Sequence, residues 1–208
     1  WQPPAASGSG YEGYYDWFDE IVDYADERGI GLIAWVLADD LDTPEKRAAR
    51  LDDWAAKGIK GIKVDFFDRE SQERLELQET IYEYCADLEM VVIAHGTNKP
   101  TGEVRTNPNV LTREAIRGRE YGGMSVEQYT MLAFTRTAIG PADVTETVYP
   151  AGGESAGFMN ALSVLVQSGI HCYAGAPEDY LNSPVYTLYK DMPVTWDDIR
   201  LVDGYPGD

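Results

Sequence analysis

The sequence is sparing in several things. Two cysteines, Cys85 and Cys172, stand in 208 residues. No disulfide framework can organise a chain of this size on two cysteines, and no zinc-ligand spacing exists. Both read as buried small apolar residues. No apolar run approaches the ~20 residues a membrane span needs. The N-terminus lacks the basic-then-apolar layout of a signal peptide, so no export signal is visible. Basic residues are scarce, with six Lys and eleven Arg against 36 Asp and Glu, for a net charge of −19. Such a field repels a nucleic-acid backbone, which argues against a DNA or RNA partner. The acidic surface reads either as solubility or as salt adaptation. Neither GxGxxG nor GxxxxGK followed by Ser or Thr occurs, so a nucleotide site has no anchor. What is present is 44% hydrophobic and 12% aromatic residues, enough for a sizeable core.

One pattern recurs along the chain after a Pro/Gly/Ser-rich start, read as a linker over residues 1–13. An amphipathic helix leads to Gly, a short apolar strand and a polar loop. Trp17, Ile21, Tyr24, Ala25 and Arg28 follow helical spacing, and Gly29 is placed to end that helix. Strands are expected at Gly31 to Val36, Ile59 to Phe67, Met90 to His95 and Ile170 to Gly175. Thr43 then Pro44 is a helix start, with Leu51, Trp54 and Ala55 as its apolar face and Gly58 as its end. Leu77, Ile81, Tyr84 or Cys85, and Leu88 mark a further helix. Ser125 and Gln128 form a possible capping box, and Glu154 to Ser168 reads as helical. Strands alternating with helices predict parallel βαβ units and an α/β fold. The strand-end loops carry carboxylates, His and Lys, as the active-site face of a (β/α)₈ barrel does. About six strand positions are countable, where a closed barrel needs eight. Either two units are irregular or the chain is part of a longer protein.

Two segments carry the chemistry. In GIKGIKVDFFDRESQ, Lys63 and Asp65 are two apart on a strand and so face the same way. Charges at the end of a buried strand need partners. One reading is a satisfied Lys–Asp ion pair at a barrel rim. The other is a nucleophilic or basic carboxylate beside a hydroxyl-reading ammonium. The second segment, HGTNKPTGEVRTNPNVLTREAIRGREY, holds His95, Glu114 and Glu120 among several arginines. It is long, lacks helical periodicity, and such loops in compact domains are often functional. Two carboxylate-bearing strand-end segments suggest the paired-acid chemistry of glycoside cleavage.

In order along the chain, KVDFFDRESQ, HGTNKPTGEVRTNPNVLTREAIRGREY, FTRTAIGPADVT and MPVTWDDIRLVDGYPGD resemble the catalytic barrel of glycoside hydrolase family 97. The resemblance runs from about Tyr14 to the C-terminus. It implies a partial (β/α)₈ barrel over residues 14–190, strands three to eight, and an exit segment over 191–208. It further implies an N-terminal β-sandwich and a C-terminal β-domain not represented here, and favours an extracellular or periplasmic site. The family contains α-glucosidases and α-galactosidases with an active-site calcium ion. Retaining members place an Asp nucleophile within KVDF, matched by Asp65, and a Glu acid/base late in the TREAxRGxE segment, matched by Glu120. Inverting members carry a Glu base directly after the fifth-strand His, where this chain has Gly96. The combination resembles the retaining, α-galactosidase-like branch. Glu114 matches a calcium-binding glutamate and Glu120 another near the ion. Lys63 is expected to support the ionised Asp65 and to hydrogen-bond a sugar hydroxyl. His95 is either a sugar contact or a rim residue, and Trp35 either a sugar platform or core packing. The implied activity is cleavage of terminal α-linked sugars. The alternatives are an α-glucosidase of the same family, or an inactive barrel fragment or sugar-binding module.

Overall fold

A computed structural model describes residues 18–145, 147–148, 155–200 and 202–207. The expected linker, Tyr14, Trp17 and Glu154 lie outside the described residues. Helix α1 (Phe18–Asp26) buries Val22 and Ala25 and leaves Ile21 and Tyr24 exposed. Ala25 is thus buried as expected, while Val22 takes the place of Ile21 and Tyr24. The Tyr24 ring is instead covered by the Arg28 guanidinium, 3.4 Å from its centroid.

Strand β1 (Ile33–Leu37) leads through a 3₁₀ turn to α2 (Pro44–Arg47), a π-type turn and α3 (Asp53–Lys57). Thr43 caps α2 as expected, its hydroxyl accepting the Lys46 N–H at 3.3 Å with Pro44 in the first turn. Gly58 ends α3 in a left-handed conformation, φ +97°. Strand β2 (Gly61–Asp65) precedes α4 (Gln72–Asp87), which the Ser71 side chain caps. Strand β3 (Val91–Ala94) follows, then β4 (Val110–Arg113) and α5 (Val126–Leu132), the latter opened by the Ser125–Gln128 capping box. The remaining elements are β5 (Thr147–Val148), α6 (Ala156–Leu165), β6 (Tyr173–Ala174), α7 (Pro177–Leu181) and α8 (Tyr186–Asp191). The long strand expected at Ile170 to Gly175 is thus only two residues.

All strand pairs are parallel. Strands β1-β2-β3-β4 form one sheet in chain order and β5-β6 a second. The fold is α/β, built of βαβ units. Gly61 lies so close to β3 that a Cβ there would sit 2.6 Å from the Val91 carbonyl oxygen. Alternation divides the larger sheet into two faces. Val36, Ile62, Val64, Val92 and Ala94 are buried against Leu51, Trp54, Ile81, Tyr82 and Cys85 on the helix side. Each Val, Leu or Ile among them contributes about 1.5–3 kcal/mol on burial. Trp35 and Lys63 are register partners on the opposite face. A second cluster packs Tyr129 and Leu132 of α5 against Ala142, Val144, Leu162 and Val166.

Strand β4 falls within the stretch read as an irregular loop. Its apolar signal is short because one helix-side position is Arg113, fully buried, with both terminal guanidinium nitrogens hydrogen-bonded and Nε left without a partner. The guanidinium donates to Thr97 at 2.8 Å and Asn98 at 3.0 Å and also engages Gln78 and Glu103. Of the cysteines, Cys85 is buried as expected, and burial pushes its thiol up to about 12. Cys172 is only partly buried, and its thiol lies 3.1 Å from an Asp143 carboxylate oxygen. Among the described residues no helix is long and apolar enough to cross a membrane.

Candidate active site

The polar face of the larger sheet collects its charges at the C-terminal strand ends. Asp65 ends β2, and His95 and Glu114 directly follow β3 and β4. Each is followed by a residue in the left-handed region: Phe66 at φ 61°, Gly96 at φ 50° and Ala115 at φ 45°. Two of these are not glycine. A non-glycine residue held there stores local strain, which collects at functional sites. The chain thus turns sharply just after each of the three side chains.

Asp65 is held by neighbours other than the one expected. Its Oδ2 accepts the Trp35 indole N–H at 3.2 Å, and its Oδ1 accepts the Phe66 backbone N–H at 2.7 Å. Trp35 is half-buried and meets the Phe66 ring edge-on at 6.3 Å. Its indole therefore orients a carboxylate, which neither the platform nor the core reading anticipated. Lys63 was expected to support Asp65, but its Nζ lies 3.8 Å from Asp143 Oδ2.

Gly96 is confined. A Cβ there would come within 2.6 Å of the Phe66 nitrogen, 2.8 Å of its Cα and 3.0 Å of Asp65 Oδ1. A side chain at this position therefore competes with Asp65 for space. The Gly96 N–H instead donates to Glu114 Oε2 at 2.9 Å.

His95, Glu114 and Glu120 each offer a ligand atom within 4.8 Å of the others. Glu120 is exposed on a 3₁₀ turn, Arg119–Tyr121, whose Arg119 is buried. Its carboxylate folds back over Gly118, where any Cβ would collide with it. Burial raises the Glu114 carboxyl above its ordinary range, against the His95 ring and the Gly96 N–H, and the Glu120 and Asp65 charges push the same way as burial. Such a gathering of carboxylates suits a hard cation with oxygen ligands. The described residues contribute two such carboxylates to it, while calcium takes six to eight oxygens. Beside Glu114 opens a cleft of about 390 Å³, lined further by Asp68, Arg69, Thr97 and Asn98.

One site residue escaped the sequence reading. Asp143 is fully buried, and its carboxylate accepts from His95 Nε2 at 2.6 Å and from the Thr145 N–H at 2.9 Å. Burial alone would raise its pKa, but the His95 hydrogen bond and the His95 and Lys63 charges outweigh it, holding the group at about 2. The available signal was an Asp between Ala142 and Val144 just after Gly140–Pro141, within the FTRTAIGPADVT string.

Known proteins bear directly on this geometry. A family model described as Glycoside hydrolase 97 matches residues 13–116. The chain belongs to glycoside hydrolase family 97. It is 38% identical over 198 residues to a probable retaining alpha-galactosidase of Streptomyces bingchenggensis, covering 92% of this chain and 31% of that protein. It is 32% identical over 210 residues to a retaining alpha-galactosidase of Bacteroides thetaiotaomicron, covering 91% and 31%. The chain therefore spans about a third of the length of these curated relatives. Among solved structures it superposes on a beta-arabinopyranosidase with TM-score 0.80 and 27% identity, over 93% of this chain and 36% of the other. It also superposes on a Pseudoalteromonas family 97 enzyme bound to acarbose, with TM-score 0.79 and 23% identity, over 91% and 34%. The parallel strand–helix units are those of the family's (β/α)₈ barrel.

Proposed function

We propose that the protein is a retaining glycosidase acting on terminal α-galactosides, with Asp65 as nucleophile and Glu120 as acid/base. The observation that carries this is the crowding at Gly96. A Cβ there would approach Asp65 Oδ1 to 3.0 Å. The inverting branch needs a glutamate at that position, so the space is given to a carboxylate on β2 instead. The printed names of the two α-galactosidase relatives point the same way.

In the first step an Asp65 oxygen attacks the anomeric carbon. The glycosidic C–O bond breaks, and the leaving oxygen takes the Glu120 proton. In the second, the Glu120 carboxylate takes a proton from water. The water oxygen attacks the anomeric carbon and the bond to Asp65 breaks, which restores both residues. The Trp35 indole and Phe66 amide aim Asp65. The part-exposed Lys63 would hydrogen-bond a sugar hydroxyl, while His95 is buried between Glu114 and Asp143. The cleft beside Glu114 is where the leaving group would rest.

Calcium is part of the proposal. Glu114 and Glu120 would hold it, their donor set being the hard oxygens it prefers. When bound it would offset the charge of the Glu114 carboxylate and polarise a sugar hydroxyl. A second substrate reading, a β-arabinopyranoside, is favoured by the 27% identical structural relative. That sugar shares galactose's axial 4-hydroxyl and lacks only the hydroxymethyl group. The α-glucosidase reading is disfavoured by Gly96.

The test is Asp65→Ala in the full-length protein. Turnover of nitrophenyl α-galactoside should be abolished, and azide should partly restore it, giving the β-galactosyl azide. Near-normal activity of Asp65→Ala would remove Asp65 from the reaction. A parallel panel of nitrophenyl α-glucoside and β-arabinopyranoside decides the sugar.

A further inference from the structure

Asp143 is the one carboxylate among the described residues that is buried outright. Its backbone explains how it reaches that position. Residues 142–145 run beside β4, with the Asp143 N–H donating to the Arg113 carbonyl at 2.9 Å and the Ala142 N–H to the Gln167 carbonyl at 2.8 Å. The Arg119 N–H donates to the Val144 carbonyl at 2.9 Å, which ties the Glu120 turn to the same segment. Thr145 adopts φ 50°, a left-handed turn that returns its N–H to Asp143 Oδ1 at 2.9 Å.

One oxygen is thus used by the chain and the other faces the active site. Oδ2 accepts from His95 Nε2 at 2.6 Å and from the Cys172 thiol at 3.1 Å, and lies 3.8 Å from Lys63 Nζ. With Nε2 so engaged, the His95 ring presents Nδ1 to Glu114 Oε2, 3.6 Å away. A buried carboxylate is costly unless paired. Here its partners come from the middle of β2, from the end of β3 and from the residue before β6, so a single group ties three strands together. Both of its side-chain nitrogen partners, His95 and Lys63, belong to the polar face of the sheet that carries Asp65 and Glu114.

We propose that Asp143 is a positioning residue of the active site, fixing the His95 ring with Nδ1 toward Glu114 and holding the Lys63 ammonium beside it. Its kinetic consequence rests on the glycosidase reading above; its structural content does not. Histidine whose far nitrogen is held by a carboxylate has its tautomer and ring plane set by that bond, and at metal-bound histidines losing such a partner costs on the order of 10–100-fold in affinity or activity.

The experiment uses ¹⁵N-histidine-labelled full-length protein, with His95→Gln identifying the His95 signals. In the wild type Nε2 carries a proton that exchanges slowly and resonates downfield. A His95 protonated at Nδ1 alone overturns the proposal, and this reading needs no Asp143 variant to fold. Asp143→Asn should then shift or remove the signal; an unchanged signal also overturns it. On nitrophenyl α-galactoside, Asp143→Asn should lower kcat on the order of 10–100-fold with a smaller change in KM. In a His95→Gln background the same substitution should cost several-fold less, because the two act as one unit. Equal costs in both backgrounds contradict the proposal. If the wild type cleaves no glycoside, the functional reading fails while the imidazole spectrum still decides Asp143.

Discussion

The two sheets are built differently. Strands β1 to β4 are four or five residues long and continuous in order, while β5 and β6 have two residues each. In the larger sheet the backbone ladder positions the site. Register places Trp35 beside Lys63, and the strand ends then deliver Asp65, His95 and Glu114 in sequence. Beyond β4 the ladder is brief, and the described groups are positioned by side-chain and turn hydrogen bonds. Asp143 is held by its own Asx turn, by His95 and by a single backbone bond to Arg113. The proposed nucleophile sits where the backbone is most regular, while the proposed acid/base and the buried Asp143 come from where it is least so. Precision in the first region is therefore expected to depend on close backbone approach, and in the second on electrostatic pairing.

The sharpest test of the first half of that contrast is Gly96→Ala. The added Cβ meets the Phe66 backbone and the residue must hold φ 50°. Displacing Asp65 by about 1 Å should cost on the order of 10²-fold in kcat/KM. Unchanged kinetics would mean that the approach of β3 to β2 is not what positions Asp65. A smaller effect is expected at the cation cluster. Chelation should lower activity and added calcium restore it, and Glu114→Gln should raise the calcium concentration needed for half-activity. Activity indifferent to chelator, with no ion bound near Glu114 and Glu120, removes the metal from the account.

The smallest effect belongs to the second region. The Asp143 carboxyl is depressed to about 2, so its ionised form favours the folded state. That contribution is complete above the ordinary carboxylate value near pH 4 and is lost as pH falls toward about 2. The urea midpoint of the wild type should therefore decline across this window, and Asp143→Asn should flatten the decline. A wild-type midpoint that rises as pH falls from 4 to 2 would contradict the pairing.

Local signals were legible and distant pairings were not. The caps at Thr43–Pro44 and Ser125–Gln128 form as read, because capping is settled within four residues. Strands β1 to β3 stood out because their helix-side residues are uninterrupted hydrophobes. Strand β4 did not, since Arg113 occupies such a position and its partners Gln78, Thr97, Asn98 and Glu103 are dispersed along the chain. The spacing of Lys63 and Asp65 correctly put both on one face, but spacing cannot say that Lys63 turns to Asp143, 80 residues away, rather than to its neighbour. Asp65, Glu114 and Glu120 were reached through the family motif. Asp143 lies inside the FTRTAIGPADVT string, but a lone Asp between Ala142 and Val144 has no periodicity to mark it.

The central claim is that Asp65 attacks the sugar, and the anomer first released tests it most directly. Proton NMR of nitrophenyl α-galactoside during hydrolysis by the full-length protein should show α-galactose appearing first, with the β-anomer growing in only by mutarotation. Initial release of β-galactose would mean single displacement by water and would contradict the account.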